Sequence, residues 1–164
     1  GGYFMFKVNK LTDYATVVLI DMSRSGRIRP TQAISDNTGI PLPTVAKLMK
    51  PLVKSGLIAS HRGVRGGYSL NKAADQTTIA DVIEAVEGPI ALTACVDTSD
   101  EQCCYESLCP ASGKWNRVNR AVTGALQDVT LADMMADLQD ESPFIIVEPS
   151  TSITDPLLKH EQVN

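Results

Sequence analysis

No apolar run in the 164-residue chain approaches the roughly 20 residues that a membrane-spanning helix needs. The N-terminus also lacks a charged region followed by a long apolar core, so no secretory signal is expected. The chain therefore reads as soluble and cytoplasmic, with no membrane partner. Gly1 to Phe4, ahead of Met5, read as cloning residues and stay outside the fold reading. Histidine is scarce, occurring only as His61 and His160, which leaves no Ser-His-Asp or Cys-His constellation. There is no C-x-x-C pair and no nucleotide-binding glycine loop. A thiol redox enzyme built on Cys103 and Cys104 is thus the disfavoured reading, and the chain is not expected to be an enzyme. Disorder is excluded as well, because 43 % hydrophobic and 21 % charged residues are an ordinary globular balance.

Acidic residues are nearly missing from the first 72 positions, which hold 11 Lys/Arg against only Asp13, Asp21 and Asp36, a net +8. The remaining residues hold four Lys/Arg against 16 Asp/Glu, a net −12. The overall charge of −4 conceals this division. A basic half joined to an acidic half points to a nucleic-acid partner for the former.

Leu11, Ala15, Val18, Leu19 and Met22 recur at helical spacing, predicting a helix from Leu11 to Met22 with Thr12 or Asp13 as its cap. Thr31 is expected to cap a short helix ending at Thr38, with Gly39 as its C-terminal cap. After Gly39-Ile40-Pro41 a third helix runs from about Pro43 to Ser55; Pro43 suits a first turn, whereas Pro51 should kink the last one. Leu57–His61 and Tyr68–Leu70 flank the glycine-rich tip 62–67 and form a β-hairpin. Two helices, a glycine turn and a hairpin make a winged helix-turn-helix. Thr78 should cap a helix from Ile79 to Glu87, ended by Gly88-Pro89. A long amphipathic helix is expected from Ser112 to Asp128, its stripe of Trp115, Val118, Val122, Ala125 and Leu126 packing on its own domain or on a second copy. Thr130 should cap a short helix to Leu138, and a mobile tail follows. The fold class is mainly α with a small β-wing. Its expected divisions are 5–72 (DNA-binding domain), 73–110 (linking helix and cysteine loop), 111–138 (dimerisation helix and terminal short helix) and 139–164 (tail).

In a helix-turn-helix, the N-terminal residues of the second helix reach base edges while flanking cations hold phosphates. Pro43, Thr44, Lys47 and Lys50 occupy those positions, with Lys54 further along. Arg62 and Arg65 sit at the hairpin tip, where arginine suits a narrow minor groove. Arg24, Arg27 and Arg29 are either further phosphate contacts or ordinary loop charges.

The four cysteines fall within 15 residues, as Cys95-x7-Cys103-Cys104-x4-Cys109. Soft thiolates select zinc, copper(I) or iron–sulfur clusters. Structural zinc usually shows paired C-x2-C knuckles, and the longer gaps here suit a loop around a larger cluster. Thiols without a metal are the alternative. Adjacent Cys103 and Cys104 are not both expected to ligate one cluster.

The segments Leu11–Ala15, Pro43–Leu48, His61–Leu70 and Ile79–Ile83, together with the cysteine loop, resemble the bacterial IscR-, NsrR- and RirA-type winged-helix regulators. Gly88–Thr93, Trp115–Ala121 and Asp128–Met134 are most similar to the branch that regulates the SUF iron–sulfur assembly operon. The resemblance runs from Met5 to about Leu138. It implies a homodimer crossed by the long helix, a palindromic double-stranded DNA operator, and an iron–sulfur cluster held by three cysteines. By position Cys95 matches the first ligand and Cys109 the third. Cys103 keeps the family's five-residue gap to Cys109 and is preferred over Cys104, although the first gap is longer than the family's. Some members place a histidine where this chain has Ser112. Asp13 matches the acid that reaches the cluster from the partner subunit in the nitric-oxide-sensing branch; a helix cap is its other role. Ala46 replaces an acid that some members use to discriminate between sites. A four-iron cluster is preferred over a two-iron one. The implied function is a repressor of cluster-assembly genes that senses cluster, redox or iron status. The alternative is a winged-helix regulator using its cysteines to sense nitric oxide, zinc or thiol oxidation.

Overall fold

The computed structural model describes residues 8–94, 96, 110, 111 and 113–136. Its helices are α1 (Lys10–Ser25), α2 (Thr31–Thr38), α3 (Leu42–Lys54), α4 (Ile79–Glu87), α5 (Trp115–Gln127) and α6 (Leu131–Met135). Strands β1 (Ile58–His61) and β2 (Gly67–Leu70) form one antiparallel sheet, and Ala74–Gln76 makes a 3-10 turn. No helix among the described residues is long and apolar enough to cross a membrane. The mainly helical architecture with a small wing agrees with the sequence reading.

The periodic apolar positions of α1 build the centre of the core. Ala15, Val18 and Leu19 are fully buried and pack with Ile34 of α2, Val45, Leu48 and Leu52 of α3, and Ile58 of β1. Val82 of α4 and Leu131 of α6 belong to the same cluster. Burying each of the valine, leucine and isoleucine side chains stabilises the fold by roughly 1.5–3 kcal/mol before the entropy of ordering is subtracted.

Four helix starts differ from expectation, among them α5, which begins at Trp115 rather than Ser112 because Gly113 and Lys114 form a turn ahead of it. α1 begins at Lys10, and its cap is Asn9, whose side chain accepts from the Leu11 N–H at 3.0 Å. Neither Thr12 nor Asp13 caps it: both lie inside the first turn, and the buried Thr12 hydroxyl donates to the Glu87 carboxylate at the end of α4. Thr31 is the first helical residue of α2 rather than its cap, because extended Pro30 sets the chain's entry angle. α3 starts at Leu42 behind Pro41, with Pro43 in its first turn.

α3 continues through Pro51 to Lys54. Proline supplies no N–H to the Lys47 carbonyl one turn earlier, but Lys47 is exposed and water can take that place.

α4 and α6 share the pattern Thr-x-Ala-Asp, at Thr78–Asp81 and Thr130–Asp133, and both start in capping boxes. Their caps lie side by side: Ile79 N–H donates to Val129 O and Leu131 N–H to Thr77 O, each at 2.8 Å. The Thr130 hydrogen bonds, side chain first, hold the exposed Asp133 carboxyl below its usual range. α6 ends at Met135, short of Leu138, which lies outside the described residues with Ser112 and the tail.

In the wing, Ile58 pairs with Leu70, Ala59 with Ser69, Ser60 with Tyr68 and His61 with Gly67. Arg29 adds a further bridge on the far edge, donating to Tyr68 O at 2.8 Å and accepting from Tyr68 N–H at 2.9 Å. That approach requires glycine at position 67. A Cβ there would lie 2.4 Å from the Arg29 carbonyl oxygen, at a φ of 153°. Gly67→Ala is expected to lower stability by about 2 kcal/mol or more, read as a reduced urea midpoint.

Candidate nucleic-acid interface and cysteine segment

The two faces of α3 divide by helical spacing. Val45, Leu48, Met49 and Leu52 are buried, whereas Leu42, Pro43, Ala46, Lys47, Lys50 and Lys54 are exposed and Thr44 is half-buried. The turn before it is built from Gly39 in the left-handed region (φ 71°) and from the Ser35 hydroxyl, which donates to Ile40 O at 2.7 Å. α3 thus presents one cationic, solvent-facing stripe. Leu42 and Ala46 add apolar groups able to meet a thymine methyl; Leu42 was not assigned such a role from sequence, because an apolar residue there looks like core.

Arg62 and Arg65 are exposed in the loop between the wing strands, and Val64 between them is fully exposed. The loop is stiffened at its base: Gly66 N–H donates to Gly63 O at 2.9 Å, and His61 Nε2 lies 2.8 Å from the Ser69 hydroxyl. Among the described residues no carboxylate pairs with Lys47, Lys50, Arg62 or Arg65. Unpaired cations on a protruding surface suit a polyanion.

The three loop arginines have separate environments. Arg24 and Arg27 are exposed, but the Arg29 guanidinium is partly buried, 3.4 Å from Asp21 Oδ2 and bonded to Ala33 O at 3.1 Å. Arg29 is held by the protein itself rather than offered to phosphate.

Cys95, Cys103, Cys104 and Cys109 lie outside the described residues, and among the described residues no three metal-ligating side chains converge. The lead-in to Cys95 is described. Ile90 is buried, and the Asn119 carboxamide of α5 grips the backbone beside it, donating to Ile90 O at 2.8 Å and accepting from Leu92 N–H at 2.9 Å. Asn119 is the one buried residue of α5. It was missed in the sequence, although a polar side chain between Trp115 and Val122 on the apolar stripe was a usable signal. The rest of that stripe is largely uncovered, with Trp115 41 % and Val118 44 % exposed.

Asp13 is exposed on α1, beside a groove of about 480 Å³ lined by Ile79, Ile83, Leu126, Val129 and Met134. Because Asn9 caps the helix, the Asp13 carboxylate is not used there.

Residues 8–137 match the Rrf2 family, described as iron-dependent transcriptional regulators. The chain belongs to that family. It is 34 % identical over 125 residues to the HTH-type transcriptional regulator IscR of Cronobacter sakazakii, covering 74 % of this chain and 75 % of that one. Protein rrf2 of Nitratidesulfovibrio vulgaris is 31 % identical over 133 residues, covering 80 % and 88 %. Among solved structures, CymR, the global cysteine regulator of B. subtilis, superposes with a TM-score of 0.61 at 27 % identity, covering 80 % of this chain and 99 % of that one. IscR of T. potens superposes with a TM-score of 0.57 at 24 % identity, over 79 % and 86 %, a likeness of fold. The matching relatives are transcriptional regulators and not enzymes. This Rrf2 member is accordingly a DNA-binding transcription regulator.

Arg62→Ala should weaken operator binding by roughly 1–3 kcal/mol if the side chain enters a groove. Lys47→Ala should instead reduce the slope of log affinity against log salt by about one if it contacts phosphate. Fluorescence anisotropy over a salt series measures both.

Proposed function

We propose that this Rrf2 protein is a cytoplasmic homodimer that binds a palindromic operator and senses an iron–sulfur cluster held by its own cysteines. The observation that carries this reading is the confinement of all four cysteines to one 15-residue segment, joined to a winged helix whose surface cations have no carboxylate partner among the described residues. Cys95, Cys103 and Cys109 would hold the cluster, with Cys104 the alternative to Cys103. Asp13 would supply the fourth ligand from across the dimer, since its carboxylate is exposed and has no capping role. The donor set of three thiolates and one carboxylate fits iron, and a four-iron cluster is preferred over a two-iron one. When bound, such a cluster supplies a group that responds to iron supply and oxidation.

The remaining steps belong to the polypeptide. The uncovered face of α5, centred on Trp115 and Val118, supports a dimer seam. Pro43, Thr44, Lys47 and Lys50 would face the major groove, and Arg62 and Arg65 the adjacent minor groove. The cluster-bound and cluster-free forms must differ in operator affinity for the signal to be transmitted. Asn119 supports a route, because it ties α5 to the backbone just before Cys95. A repressor of cluster-assembly genes, as in the SUF branch, would close a feedback loop.

A second reading keeps the DNA binding but makes the cysteines a zinc, nitric-oxide or thiol sensor. The likeness to CymR, named a cysteine regulator, favours it.

Anaerobically purified protein should contain iron and acid-labile sulfide and absorb visible light, and Cys95→Ser and Cys109→Ser should abolish both. A colourless, iron-free protein after reconstitution overturns the cluster, and zinc without sulfide selects the second reading. Val118→Glu should shift the sedimenting species from dimer to monomer.

A further inference from the structure

Where α1, α2 and the wing meet, the structure holds a polar cluster of Asp21, Arg29 and Asn37. The Arg29 backbone is bridged to Tyr68 of β2, at 2.8 and 2.9 Å. Its guanidinium turns the other way, donating to Ala33 O in α2 at 3.1 Å and lying 3.4 Å from Asp21 Oδ2 on α1. The other Asp21 oxygen accepts from Asn37 Nδ2 near the end of α2, at 3.1 Å. Arg29 therefore joins three elements with one residue.

The pair is also constrained energetically. Asp21 Oδ2 and Arg29 Nε are buried and make no hydrogen bond, and the two side chains are 16 % and 20 % exposed. Separating them would leave a desolvated charge without its counter-charge, which costs far more than breaking a surface pair. Ile58 in the core, with Tyr68 and Leu70 packed against it, seats the base of the wing, and Arg29 adds the backbone pairing on the edge of β2. The wing is a two-stranded sheet, marginal alone, with Arg29 as its neighbour on one edge.

We propose that Asp21 and Arg29 are positioning residues for DNA binding, setting the wing, and with it Arg62 and Arg65, at a fixed placement relative to α3. The proposal rests on the reading of the wing as a DNA contact. It makes a prediction opposite in sign to simple electrostatics. Removing an acid from a DNA-binding domain should strengthen binding to a polyanion. Loss of wing placement should weaken it.

The test uses the full-length protein and a duplex enriched by the wild-type protein from a randomised pool. Asp21→Asn is isosteric, keeps the oxygen that Asn37 bonds, and is expected to weaken binding about fivefold. Arg62→Ala should cost less in the Asp21→Asn background than in wild type, because a misplaced wing has less contact to lose. Lys47→Ala on α3 should cost the same in both backgrounds. Thermal unfolding establishes that the variants are folded at the assay temperature. If Asp21→Asn does not fold, Arg29→Lys carries the same cycle, since it preserves the charge and the backbone bridge. Unchanged or tighter binding by Asp21→Asn overturns the proposal, as does full additivity with Arg62→Ala. An Arg62→Ala protein that binds like wild type removes the wing contact itself, a result distinguishable from additivity, and the positioning role falls with it.

Discussion

The contact on which the DNA-binding part depends is the approach of the Arg29 backbone onto Tyr68 and Gly67. Together with buried Ile58, it attaches a two-stranded hairpin, too small to be stable alone, to a helical core. Its geometry leaves no room for a side chain at position 67, since a Cβ would collide with backbone that cannot yield cheaply. The same residue sends its guanidinium to α1 and α2, so backbone pairing and ion pairing act on one point of the chain. The glycine-rich wing therefore combines a mobile-looking composition with an anchored base. Its exposed arginines reach outward from a defined position.

Charge is arranged around this frame with a clear division. The basic side chains of α3 and the wing tip have no acidic partners among the described residues, while Asp21 is drawn inward against Arg29. An acid left at the surface there would oppose phosphate. Turned inward it serves as an anchor and weakens the positive surface less. The net −4 of the chain therefore says little about its DNA affinity, because the acids are concentrated after residue 72.

Local features were legible in the sequence, and features set by distant residues were not. The apolar period of α1 and α3, the Thr78 and Thr130 caps and the glycine-rich wing each rest on neighbours within a few positions. The cap of α1 was not legible. Asn9, Thr12 and Asp13 are all competent caps, and the choice depends on Glu87, which lies 75 residues after Thr12 and takes its hydroxyl. Arg29 could not be told from Arg24 and Arg27 for the same reason, since its partner Asp21 lies on the preceding helix. In the candidate site, the exposed cations of α3 and the wing tip were readable from motif order. Leu42 escaped notice because an apolar residue at a helix start gives no polar signal.

Asn119 joins α5 to the segment that follows α4. A buried carboxamide satisfied by one carbonyl and one N–H acts as a short piece of backbone pairing between α5 and residues 90–92. Leucine at this position would leave both backbone groups without that partner, so a polar residue on the apolar stripe has a structural reason. A path of contacts therefore runs from residues 90–92 to α5 through Asn119. From α5 it reaches α4 through the packing of Leu126 against the Ala80–Ile83 cluster. α4 in turn is bonded to the start of α1 by Glu87. A contiguous path of hydrogen bonds and packed side chains thus joins residues 90–92 to the first helix of the DNA-binding part.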